Sequence, residues 1–302
     1  MLTLSVSVAS NRRLRCQLRC GAPVAGQIMT AMLPLLMMRH RRISRAKWRD
    51  CVTPTGKHWI EQVGGDINSS ISSVDHVPSF FLKSPDDMPP EKFLQSMIGY
   101  HLAYDNSLCG MVMTQGRQRQ VINIGLGIKQ IAVEPRGATV AAYAESHAHK
   151  VSPNLQRNRL FYSYGDLTQL TPLELSFISH DQPDEVVLRR LCILLALKQA
   201  YIKAIGQPIG FDLSRLEFNI PEETARGDDH PLDGWEFRVF KSQLGVGRTD
   251  RIVEESYQCA CAFFRGSKES KFVWHDNQKD LETWVQFINI DQMVKVIPKL
   301  TA

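Results

Sequence analysis

The chain has 302 residues, 43% of them hydrophobic and 22% charged, a composition that suits a globular protein with one large core or two small ones. Its formal charge of +5 is mild, and with no zinc-finger, RNP or basic-zipper pattern in the sequence, nucleic acid is not an expected partner. Seven cysteines at unrepeated spacings argue against a secreted disulfide framework and for a reducing, cytoplasmic compartment.

In chain order, the opening LTLSVSV alternates as a strand does, with the frayed start of a helix as the other reading. The first fifty residues hold ten Arg or Lys and a single acid, Asp50, a clustering that would suit an anionic ligand or a targeting peptide. The apolar run from Ala22 to Met38 includes Gln27, Thr30 and Pro34, and its 17 residues fall short of the roughly 20 that cross a bilayer. A buried helix is therefore expected there, with helical spacing from Gln27 to Arg45. TPTGK at Thr53 to Lys57 is a turn by its Pro and Gly. Gly64 to Pro90 reads as a long loop covering at most one short strand, Phe80 to Leu82.

Gly110 to Thr114 is expected to pair with Val121 to Ile131 as a hairpin around GRQRQ, and Thr139 to Tyr143 reads as strand or buried turn. His147 and His149 fall in a polar stretch before Pro153 and are expected in solvent. Asp184 to Gly206 is the clearest element, a long amphipathic helix with an acidic start, apolar residues at helical spacing from Val187 to Ile205, and a closing glycine. LSRLEFNI, WEFRVFKSQL, YQCACAFFR and KFVWH follow as alternating strands. Cys259 and Cys261 would share one strand face as small hydrophobes rather than bind zinc. LETWVQFIN fits a terminal strand or a helix. The whole reads as α+β.

Four segments resemble motifs of the phosphopantetheinyl transferases and occur in that family's order. Lys198, Lys203 and Gly206 fall at the spacing of W-x-x-K-E-x-x-x-K-x-x-G. INIGLGIKQI is similar to G-[IV]-D-[IV]-E, with Gly125 and Ile128 in register. TPTGKHWI resembles the G-K-P turn, with Gly56 and Lys57 retained. LTPLELSFI resembles the segment that carries a further functional glutamate, here Glu174. The resemblance implies two similar helix-plus-antiparallel-sheet halves related by a pseudo-twofold axis, residues 1–120 and 121–302, with a ligand cleft between them. It also implies transfer of the phosphopantetheine arm of coenzyme A onto a carrier-protein serine, with magnesium held by carboxylates.

The departures fall on those carboxylates. Gly127 and Lys129 stand where the family has acidic residues, and Gln199 stands where the helix carries a glutamate. The segment matching N-[IVL]-S-H reads His101, Leu102, Ala103, Tyr104. RRLRCQLRC resembles a segment that follows an N-terminal strand in larger members, and either the absence of that strand or a misassigned start codon is expected here. No metal is therefore expected, and coenzyme A with magnesium only if transfer survives. The candidate catalytic residues are Lys129, Gln199, Lys203, Glu174, Tyr104 and His101; Lys57, Lys198 and Lys203 are candidates for holding an anionic cofactor.

Lys129 reads either as a surface lysine or as an ammonium in the place of the cation. Three functions follow from this pattern. The first is a metal-independent cyclase or isomerase of a small, secondary-metabolite-like molecule. The second is a residual transferase with a metal shifted toward Glu174, Glu134 or Asp105. The third is a noncatalytic binder of coenzyme A or of an acyl or peptidyl carrier protein. Restoring Gly127→Asp, Lys129→Glu and Gln199→Glu together is expected to rebuild a magnesium site on an unchanged scaffold.

Overall fold

The computed structural model describes residues 3–7, 32–62, 97–116, 118–147, 170–178, 181–207, 211–248, 251–289, 292 and 295. Its secondary structure begins with β1 (Thr3–Ser7), helix α1 (32–40), β2 (Trp48–Val52), β3 (His58–Gln62), β4 (Met97–Asp105) and β5 (Leu108–Gln115). Next come α2 (Gln118–Ile122), β6 (Ile124–Gln130), α3 (Val140–Ser146), α4 (Pro172–Phe177) and α5 (Asp184–Ile205). The remainder is β7 (Leu216–Asn219), β8 (Thr224–Gly227), β9 (His230–Pro231), β10 (Trp235–Arg248), β11 (Arg251–Phe264), β12 (Lys271–His275), α6 (Gln278–Glu282) and β13 (Val285–Asn289). The α+β class expected from the sequence is the class observed.

Two main sheets, ordered β13-β1-β5-β4-β3-β2 and β12-β10-β11-β6, stack between two helices. Strand alternation sorts the side chains into three layers. On one face of the first sheet, Trp48, Ile60, Ile98, Tyr100, Cys109, Met111 and Met113 pack against Leu33, Met37 and Met38 of α1. Its opposite face sends Ala103, Leu108 and Val112 onto Ile124, Leu126, Ile128, Cys259, Cys261 and Phe263 of the second sheet. The far side of that second sheet, including Val239, Ala260 and Ala262, meets α5. Cys259 and Cys261 lie buried on one face of β11, as expected. A small sheet, β7-β8-β9, completes the fold.

Ten consecutive residues of α5, 191–200, are buried, so this helix is covered all round at its centre and is not the half-solvated helix expected from its pattern. Gly206 closes it in the left-handed conformation at φ 70°, where a glycine costs nothing.

Several other expectations are corrected. β5 pairs with β4 and β1 rather than with β6, because the GRQRQ segment leads through α2 into the other sheet. Thr139 to Tyr143 is neither strand nor turn: Thr139 accepts a hydrogen bond from the Ala142 amide at 3.2 Å and caps α3. His147 is buried at the end of that helix, with Nδ1 2.8 Å from the Tyr143 carbonyl. Thr3–Ser7 within LTLSVSV is a strand, and it precedes RRLRCQLRC, so a strand does stand ahead of that segment. LETWVQFIN supplies both the end of α6 and β13, and β13 pairs in parallel with β1, which carries it across the expected division at residues 120 and 121. Phe80 to Leu82 and His149 lie outside the described residues. Among the described residues, no helix is long and apolar enough to cross a membrane.

Candidate functional site

The site grows from one unusual feature: β6 is a sheet edge, yet it is buried. One side of β6 pairs with β11. On its other side the backbone groups of Ile124, Leu126 and Gln130 need partners, since an unpaired buried carbonyl is costly. Side chains from three separate segments supply them. Lys57 Nζ donates to the Ile124 carbonyl at 3.0 Å, Lys203 Nζ to the Leu126 carbonyl at 3.1 Å, and Cys192 Sγ to the Gln130 carbonyl at 3.6 Å. From β4, Asp105 Oδ2 accepts the Gln130 amide at 2.6 Å.

Lys57 also donates to the Lys203 and Ala204 carbonyls, which caps the C-terminal end of α5 from the TPTGK turn. That turn is fixed by Thr53, whose Oγ1 accepts the Lys57 amide at 3.0 Å and whose amide donates to the Lys57 carbonyl at 2.8 Å. Burial pulls the Lys57 ammonium down to about 7 and the Lys203 ammonium down to about 8, with nearby Asp105 partly opposing the latter.

Lys129 lies one residue before the end of β6, with its side chain 7% exposed and Nζ 3.0 Å from Glu134 Oε2. Burial works against its charge, but Tyr143, Asp105 and Glu134 outweigh it and hold its pKa above the ordinary lysine range. Burial raises the Asp105 carboxyl, with Lys129 and the Gln130 amide opposing. Burial also pushes the Tyr143 phenol up to about 12, with Lys129 opposing. The Tyr143 hydroxyl is buried near the Lys129 ammonium and has no hydrogen-bond partner among the described residues. An ammonium therefore sits among two carboxyl groups and a phenol.

His101 is on β4 four residues before Asp105, on the same strand face. Its Nδ1 is buried without a hydrogen-bond partner among the described residues. Burial, followed by the charges of Lys203, Lys57 and His58, holds its pKa well below the ordinary histidine value, so the imidazole is neutral at neutral pH. Lys203 links this group to the Lys129 cluster, since it acts electrostatically on both His101 and Asp105. Gln199, one turn before Lys203, is 6% exposed.

Three expected residues are not brought to this seam. Tyr104 is three positions from His101 on the same strand, so it points to the opposite face, where it is 47% exposed. Glu174 and Lys198 form a separate pair at 2.6 Å with neither side chain exposed. Glu174 completes a capping box at the start of α4, accepting the Thr171 amide at 2.8 Å, and reaches across to the Phe218 amide at 3.0 Å. Lys198 donates to the Leu213 and Leu216 carbonyls at 2.9 and 2.7 Å. Both are committed to joining α4, α5 and β7. Tyr143 and Cys192 belong to the seam but were not singled out by sequence; the only signal for Tyr143 was Thr139 ahead of the helix formers Ala-Ala-Tyr-Ala-Glu.

The positions that resemble metal-ligand positions do not fit magnesium. Glycine, lysine and glutamine at 127, 129 and 199 offer one neutral amide oxygen and no carboxylate, whereas the ion prefers hard anionic oxygen. Among the described residues there is no group of three or more His, Cys, Asp or Glu side chains arranged to hold a metal. Gly127 also has a steric reason to be glycine. A Cβ built there would lie 2.0 Å from the Ala196 carbonyl oxygen, and one at Gly125 would lie 2.0 Å from that of Ala200. The expected Gly127→Asp reversion on an unchanged scaffold is therefore corrected, because α5 packs its backbone directly on these two glycines.

No family model matches the chain. A 4'-phosphopantetheinyl transferase of Paxillus involutus is 26% identical over 215 residues, which cover 71% of this chain and 65% of that protein. The chain thus matches less than two thirds of the length of this relative. The match bears out the relationship expected from the four motifs.

Proposed function

We propose, on the premise that this chain is a member of the phosphopantetheinyl transferase superfamily, that it uses the family scaffold without a magnesium ion and acts as a metal-independent cyclase or isomerase of a small, secondary-metabolite-like molecule. The observation that carries this reading is the buried Lys129 ammonium, 3.0 Å from Glu134 and close to Asp105 and the unpartnered Tyr143 hydroxyl. In a site screened from water, a fixed ammonium and a phenol can stabilise the negative charge that develops on an enolate oxygen. The Tyr143 phenol stays protonated at neutral pH and can donate a hydrogen bond to that oxygen. Neutral His101, with Nδ1 unpartnered, is the candidate base. Lys203, bonded to the Leu126 carbonyl, positions this edge of the seam, with Gln199 buried one turn before it, and no cofactor is required.

The test is deuterium exchange at the acidic carbon of a β-keto ester, followed by NMR in D2O with EDTA present. Exchange catalysed by the wild-type protein and lost in Lys129→Met and Tyr143→Phe supports the reading. Exchange no faster than buffer, or equal in both variants, removes it.

A second reading is residual phosphopantetheine transfer from coenzyme A to a carrier-protein serine, favoured by the relative's activity and by the approach of Asp105 and Glu134 to one another around Lys129. A carrier protein incubated with coenzyme A and magnesium would then gain the mass of one phosphopantetheine. The binder reading has less support, since the amines of Lys57, Lys198 and Lys203 donate to carbonyls inside the fold. The proposed compartment is the cytoplasm, in keeping with the free thiols of Cys51, Cys109, Cys192, Cys259 and Cys261.

A further inference from the structure

Away from the seam, on the outer side of the first sheet, a cavity of about 360 Å³ lies between the end of α1 and the start of β2. Its walls divide by chemistry. Leu35, Ile43 and Trp48 form an apolar side, Arg39, Arg42, Ser44 and Arg45 line the remainder, and no acidic residue is among the described lining residues. Arg45 is held in place: its guanidinium lies 4.2 Å from the centre of the Trp48 ring and donates to the Trp48 carbonyl at 2.7 Å.

Arg42 supplies a second, independent observation. The Ile43 amide donates to the Met38 carbonyl at 3.0 Å and the Arg42 amide to the Arg39 carbonyl at 2.8 Å, the paired bonds of a Schellman motif with Arg42 at the left-handed position. Arg42 adopts φ 59° there, where glycine is the unstrained choice. Its side chain is exposed and makes no ion pair or hydrogen bond with another described residue. Basic residues in the last turn of a helix complement its dipole, which accounts for Arg39. It does not account for an arginine just beyond that turn, at a strained position, beside a cavity with an apolar wall.

We propose that this cavity binds a phosphate monoester carrying an apolar group, with the phosphate on Arg42 and Arg45 and the apolar part on Leu35, Ile43 and Trp48. Guanidinium groups match phosphate oxygens in charge and geometry, and a ligand with both parts uses both sides of the cavity. The ligand is either a soluble phosphate monoester or the headgroup of an anionic lipid.

The experiment is calorimetric titration of the full chain with phenyl phosphate and with inorganic phosphate, for wild type, Arg42→Gly and Arg45→Gln. Phenyl phosphate should bind several-fold more tightly than inorganic phosphate, and more weakly as salt is raised. Arg42→Gly should weaken phenyl phosphate by about tenfold while raising Tm by about 2 °C, since glycine relieves the left-handed strain. That pairing of lost binding with gained stability separates the proposal from unfolding. Sedimentation with vesicles of phosphatidylcholine plus phosphatidic acid distinguishes the sources: cosedimentation points to a lipid headgroup, and phenyl phosphate binding without it points to a soluble ester. Undetectable binding of phenyl phosphate, or binding that Arg42→Gly and Arg45→Gln leave unchanged, overturns the proposal.

Discussion

Replacing Gly127 by alanine adds one methyl group to β6, and the structure specifies what that group meets. Its carbon would lie 2.0 Å from the Ala196 carbonyl oxygen, 2.9 Å from the carbonyl carbon and 3.1 Å from the Ala196 Cα. Ordinary carbon-to-oxygen contact begins at about 3.3 Å, so strand and helix would have to separate by roughly 1 Å. Neither yields readily. All three atoms met are backbone, and α5 is buried over residues 191–200. Overpacking a close-packed core costs about 1–3 kcal/mol when side chains can adjust; with backbone on both sides, Gly127→Ala should cost about 3 kcal/mol or more. Gly137→Ala is the control: its φ of 93° is strained for alanine, but nothing lies within 4 Å of the new methyl, so the loss should be about 1 kcal/mol. Urea unfolding measures both, with the m value checking that the cooperative transition is retained. A Gly127→Ala protein within about 0.5 kcal/mol of wild type, the range of ordinary surface substitutions, would refute the close approach of α5. It would also restore the case for a carboxylate at this position.

Lys198→Met should destabilise by about 3–5 kcal/mol, because it strands the fully buried Glu174 carboxylate, and Glu174→Gln should cost less, since its amide oxygen can still accept from Phe218; denaturant titration of both variants checks the order. Lys129→Met removes the main charge opposing the burial-raised pKa of Asp105. Between the ordinary carboxylate pKa and that raised value the folded chain holds more protons than the unfolded one, so stability falls as pH rises. The deficit of Lys129→Met relative to wild type should therefore grow from about pH 4 to about pH 7 in thermal melts. His58 Nδ1 lies 3.3 Å from Asp50 Oδ2, and this hydrogen bond lifts its pKa above the usual histidine value. An NMR titration should place its midpoint above that of an unperturbed histidine, and Asp50→Asn should return it. A His58 midpoint indifferent to Asp50→Asn would count against the contact. Because the folded pKa is raised, the small stability this pair adds is present at low pH and lost as pH rises through the midpoint.

Local pattern made the elements of the second half legible. Asp184 to Gly206 carried the spacing, acidic start and closing glycine of a helix, and β10, β11 and β12 alternated openly. The same pattern misrepresented the surroundings of α5. Lys198 and Gln199 look like solvated positions because periodicity records residue type and cannot report that a second layer covers them. Thr139 to Tyr143 was misread because an apolar run of five suits a short strand as well as a helix, and the N-cap hydrogen bond of Thr139 decided the outcome. The pairing of β1 with β13 had no local signal. Among the candidates, motif register singled out Lys129, Lys203 and Gln199, and Asp105 and Glu134 were weighed as ligands of a shifted metal. Tyr143 was not, because its approach to Lys129 depends on α3. The separation of Tyr104 from His101 follows from the two-residue period of a strand once β4 is recognised.

The parallel pairing of β1 with β13 sets an order of events for the growing chain. Residues 3–7 are synthesised long before their partners at 285–289. Until then the first sheet can assemble only as far as β1, and the outer side of β1 stays open, an unpaired edge that can recruit another strand. Closing this sheet joins strands far apart in sequence, the kind of contact that slows folding. During synthesis β1 should thus carry this open edge until β13 has been made.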